Sequence, residues 1–163
     1  MDKLEQFISL FIEVWKNGIS GINISEIITA LLIFFVFLLL RGLFAKFIIK
    51  RLEKYVSKTT NRFDNSLVQS LKGPTKFFPI VIGFFIATSY VSFGDSTESF
   101  IDNANRTLIT ILIFWVIHQI IEPISYILSG LDKLLTRELI GWIIKSLKIL
   151  IFILGLAAVL ELW

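Results

Sequence analysis

His118, the only histidine of the chain, stands four residues before Glu122, with Gln119 between them. On a helix that spacing puts imidazole and carboxylate on one face. An ionisable pair inside hydrocarbon is costly and marks an ion site or a proton relay. Near the end of a span, where water is close, the same pair serves as an interhelical hydrogen bond, and we prefer that reading. Other chemistry is scarce. No cysteine is present, so thiol catalysis, disulfides and cysteine-based metal sites are excluded. No HExxH motif and no phosphate-binding glycine loop occurs. The expectation is therefore no enzyme, no catalytic residue, no metal and no cofactor. Glu26 and Glu161 fall near span ends, where headgroup-level carboxylates are ordinary.

Any elements that hold these residues lie in an unusual solvent. The 163 residues are 55% apolar, with a mean hydropathy of +0.80, outside the range of soluble globular chains. The net charge of +3 and pI near 9.2 could suggest nucleic acid, but no nucleic-acid-binding motif accompanies them. The basic excess sits beside apolar runs, where it meets anionic headgroups. Membrane lipids, and no nucleic acid, are the expected partners. The N-terminus carries Asp2 and Glu5 in place of a basic signal-peptide region, so the first apolar run is expected to stay.

Arg41 to Lys76 holds nine of the sixteen Lys and Arg residues and only two acids, Glu53 and Asp64. Short loops dense in Lys and Arg remain cytoplasmic. That places this stretch inside and the N-terminus outside, in a multi-pass protein of the cell's inner (plasma) membrane. Arg41, Lys46, Lys50, Arg51 and Lys54, with Lys145 and Lys148 later, are expected to anchor helices to the inner leaflet. The basic residues alternate along the chain as four spans with both termini outside would require, and Trp15, Trp142 and Trp163 fall at the expected interfaces.

The fold class expected is an all-α membrane protein. Residues 1–18 form an amphipathic interfacial helix, because Leu4, Phe7, Ile8, Phe11, Ile12 and Trp15 share one helical stripe; packing of that stripe on neighbouring helices is the alternative. Residues 19–163 form a four-span domain, with spans at about 22–40, 76–93, 107–121 and 139–162. The first helix is expected to run on to Val56, yielding at Gly42. Gly73 and Pro74 are expected to end a short amphipathic helix after a polar turn at Thr59–Asn61. Pro79 is placed in the first turns of the second span, 94–106 in a hydrophilic outer loop, and Pro123 at a bend. A helical arm follows, with Leu131, Leu134 and Leu135 on its apolar stripe. Gly83 and Ala87, four apart, make a small-xxx-small contact, and Gly155 thins one face of the last span.

The run Thr59-Thr60-Asn61-Arg62-Phe63-Asp64-Asn65-Ser66-Leu67-Val68, then Leu71-Lys72-Gly73-Pro74, resembles the segment before the inner membrane helices of the small-conductance mechanosensitive channel family. Leu147 to Trp163 looks like the helix immediately before that family's pore helix. The resemblance covers roughly residues 59–163, with Asn65 standing where an acid is common. It implies an outside N-terminus, an odd number of spans and a cytoplasmic C-terminal domain in the whole protein. These residues would then be its tension-sensing membrane region, truncated before the pore helix, and a homo-oligomer where the pore-forming part is present. Two other classes compete: a small structural, scaffold or lipid-binding membrane protein, and a transporter subunit using His118 and Glu122.

Overall fold

Residues 2–17, 23–56, 62–128 and 136–163 are described in the computed structural model. Every element among them is a helix: α1 (Asp2–Asn17), α2 (Ile24–Val56), α3 (Arg62–Ser70), α4 (Lys72–Ser89), α5 (Asp95–Leu128) and α6 (Arg137–Glu161). The turn expected at Thr59–Asn61 and the stripe positions Leu131, Leu134 and Leu135 lie outside the described residues, as does the side chain of Trp15.

Several helix ends and polar side chains find partners within a turn, which matters where water is scarce. Asn23 caps α2: its side-chain oxygen accepts from the Ser25 N–H at 3.0 Å, and its carbonyl accepts from the Glu26 and Ile27 N–H groups. Thr29, Thr88 and Ser89 donate their hydroxyls to carbonyls one turn back. Thr136 caps α6 by accepting from the Leu139 N–H.

α2 runs through Gly42 without a break, and at 33 residues it is about 50 Å long. Among the described residues three helices, the first of them α2 and the others Thr97–Leu128 of α5 and Arg137–Glu161, are long and apolar enough to cross a membrane. α4 is shorter, at 18 residues, and opens with Lys72 and Lys76.

Several expectations are corrected. The segment 94–106 is not a loop, since α5 starts at Asp95 and the Thr97 and Glu98 N–H groups donate to the Gly94 carbonyl. Phe100, Ile101, Ala104 and Leu108 supply an apolar helical spacing that its polar residues obscure. Gly73 and Pro74 do not end a helix. They lie in the first turn of α4, where proline's missing N–H would be unpaired anyway, and the Thr75 N–H donates across them to the Leu71 carbonyl. Pro79 is consequently interior to α4, and Pro123 lies inside α5, which continues to Leu128. Pro74 and Pro123 are the fully buried large side chains among the described residues.

α2 and α4 make the most extensive helix pair, followed by α5 and α6, while α3 packs on α5. The interior is thin. Ala30, Ala87 and Val91 form one buried cluster; Ile121, Ile140 and Ile144 form another. Outside them the apolar side chains face outward: Leu31, Leu39, Leu43, Phe47, Phe152 and Leu160 are each more than 60% exposed. Water is the wrong solvent for such a surface, and contiguous apolar area on this scale marks contact with a membrane or a partner. The α1 stripe is exposed in the same way, at Leu4, Phe7, Ile8, Phe11 and Ile12.

Candidate functional site

The polar residues gather at the two ends of the helix pairs. At one end, Glu26 at the start of α2 accepts from the Ser92 N–H just after α4, at 3.0 Å. Asn105 of α5 donates to the Thr88 hydroxyl of α4 at 3.1 Å. The Trp163 indole, just past α6, donates to Thr107 of α5 at 3.0 Å and meets the Phe100 ring edge-on at 5.0 Å. At the other end, Lys148 of α6 donates to a carboxylate oxygen of Glu122 on α5 at 2.6 Å, and Lys72 of α4 faces Glu53 of α2 at 3.9 Å.

Apolar interlocks fill the space between these levels. A Cβ built on Gly83 would lie 2.4 Å from Phe37 Cβ, and one on Gly155 would lie 2.9 Å from Phe114 Cγ. Each glycine is a notch that admits an aromatic residue of the facing helix. Gly83 and Ala87 are both buried on the α2 side of α4. Phe34 meets Phe84 edge-on, and Phe44 stacks on Phe78 at 5.7 Å. Trp115 closes on Gly73, 3.2 Å from where its Cβ would be, and on Phe77 at 5.5 Å.

The Glu122 carboxylate is engaged by Lys148. His118 lines a largely apolar groove of about 450 Å³ between α5 and α6, with Phe114, Trp115 and Gly155. The single residues Lys148 and Glu122 were visible in the sequence; their pairing was not. Opposite charges at matching expected depth on consecutive helices were the available signal. Arg41, Lys46, Lys50, Arg51, Lys54 and Lys145 are exposed, and Lys148 is half-buried. Lys72, unremarked as a site residue in the sequence, joins Lys46, Lys50 and Lys76 around a second groove between α2 and α4.

No family model matches the chain, and no solved structure matches it. Two curated proteins are similar. One is an uncharacterized MscS family protein, YhdY, of Bacillus subtilis, 27% identical over 111 residues covering 68% of this chain and 30% of that protein. The other is an uncharacterized MscS family protein of Aquifex aeolicus, 24% identical over 150 residues covering 89% of this chain and 40% of that protein. The chain thus spans well under half the length of the relatives it matches. The long apolar helices and the similarity to these two MscS family proteins together support a multi-pass membrane protein.

Proposed function

We propose that these residues are the tension-sensing membrane region of a mechanosensitive channel of the small-conductance type. Four helices cross the membrane, with α4 as the fourth, and the N-terminus lies outside the inner membrane. α1 lies along the outer interface. The conducting helix and the assembly into a homo-oligomer belong to sequence beyond these residues, in keeping with the greater length of the similar proteins. Osmotic stress is the physiological source of the tension.

One observation carries the reading: apolar side chains cover the outside of α2, α5 and α6, while the buried clusters between helices are small. Helices held by few internal contacts and wetted by lipid respond to the lateral pressure of that lipid. A tilted arrangement with larger in-plane area gains free energy as tension rises, and a ligand-like bias of this kind shifts a two-state equilibrium. The basic residues on α2 and α6 hold one end of the helices at the inner leaflet.

Patch-clamp recording tests it. Membrane patches from cells lacking their own mechanosensitive channels, expressing the full natural gene, should show current that switches on with suction. Patches that stay silent up to rupture, with the protein present in the membrane, would instead favour a structural or lipid-binding role.

A further inference from the structure

Between α2 and α4, at the end away from Glu26, lies a groove of about 420 Å³. Its floor is apolar: Ala45 and Ile49 are 3% and 6% exposed, and Gly42 leaves it open, with no atom within 4 Å of a Cβ placed there. Its walls are Lys46 and Lys50 from α2 and Lys72 and Lys76 from α4, each pair one helical turn apart. Four ammonium groups share the groove with one carboxylate, Glu53, which lies 3.9 Å from Lys72 with both side chains about half exposed. Among the described residues Lys46, Lys50 and Lys76 have no ion-pair partner. Like charges drawn together by two helices repel one another unless an anion lies between them.

We propose that this groove binds the phosphate of an anionic phospholipid headgroup. A lipid fits better than a soluble phosphate because the groove continues as an apolar track. Phe35 and Leu39 carry the stripe of Gly42 and Lys46 along α2, and they are 56% and 63% exposed. A phosphate held by the lysines would leave its acyl chains against that track. The lysine stems cover the floor while their ammonium groups reach the headgroup. The inference rests on α2 lying in a membrane, as in the reading above, and not on conduction.

Native mass spectrometry of the detergent-extracted full-length protein tests it, with phosphatidylglycerol, phosphatidylcholine or glycerol 3-phosphate added. Wild type should retain phosphatidylglycerol well above the other two. The double variant K46Q/K76Q should weaken that retention about thirtyfold, at about fivefold per lysine. K46R/K76R should keep it, and K3Q/R106Q, which removes the same charge at exposed positions outside the groove, should change it less than about twofold. Equal losses in K46Q/K76Q and K3Q/R106Q, equal retention of phosphatidylcholine, or equal binding of glycerol 3-phosphate would each overturn the site. Recovery of the protein from the soluble fraction would overturn the membrane reading itself, a different and recognisable failure.

Discussion

Lys148 Nζ and Glu122 Oε2 meet at 2.6 Å across the seam between α5 and α6, while Trp163 and Thr107 join the same two helices at the opposite end. Glu122 and Thr107 are as far apart along α5 as Lys148 and Trp163 are along α6, about 22 Å of helix. The two contacts therefore clamp one antiparallel register at both ends, with the Gly155 notch for Phe114 between them.

The ion pair should be energetically coupled. Glu122 is mostly exposed and Lys148 half-buried, so the worth of the pair is that of a partly solvated bridge, about 0.5–1 kcal/mol. A double-mutant cycle with E122Q and K148M, read from denaturant unfolding in detergent micelles, should return that coupling. H118Q should leave it unchanged, because His118 faces the groove. Additivity within about 0.3 kcal/mol would mean that the pair holds nothing.

Gly83 and Gly42 should respond in opposite directions to the same added methyl. At Gly83 the new Cβ falls 2.4 Å from Phe37 Cβ, an atom fixed to the α2 backbone, so the helices must separate; G83A should destabilise by about 1–3 kcal/mol. At Gly42 the methyl meets nothing, and replacing glycine inside a helix gains about 0.5–1 kcal/mol. Thermal unfolding of the two variants should bracket wild type. A neutral G83A would place α4 farther from α2 than the 2.4 Å approach to Phe37 Cβ implies.

Helix existence was readable in the sequence because long apolar runs leave one cheap solution in lipid. Punctuation was not. Gly73 and Pro74 have the composition of a helix stop, yet they open α4, since a proline in a first turn loses nothing and Gly73 lets Trp115 approach. Glu98 and Asp102 have the composition of a loop, yet acids suit the positive end of a helix, and Glu98 falls in the first turn of α5. Gly83 was picked out by spacing alone, whereas its partner Phe37 was one of many phenylalanines until the helices were brought together. The lysine groove was illegible for the same reason: Lys46 and Lys76 are thirty residues apart in sequence and meet only through the pairing of α2 with α4.

The absence of native cysteine makes sidedness directly measurable. Asn65 on α3 and Glu98 on α5 are both exposed, and α4 lies between them in sequence. If α4 crosses the membrane, a membrane-impermeant maleimide added to spheroplasts should label E98C and spare N65C until the membrane is permeabilised. Labelling of both, or of neither, would leave α4 on one side and reduce the number of spans to three.

The Trp163 contact has two parts that separate by substitution. Trp163→Phe keeps a ring against Phe100 but removes the indole donor to Thr107, which should cost about 1 kcal/mol, the net worth of a typical hydrogen bond. Thr107→Val removes the acceptor and strands the indole N–H, and should cost at least as much unless water or a headgroup takes its place. The double variant should then be little worse than T107V alone, because both changes remove one bond. Trp163→Ala also loses the edge-on ring contact, worth about 0.5–1.5 kcal/mol more, and should be the least stable of the set. Unfolding midpoints in detergent order the four variants; a W163F indistinguishable from wild type, with T107V equally silent, would mean that the α5–α6 register is fixed by Lys148 and the Gly155 notch without help from this end.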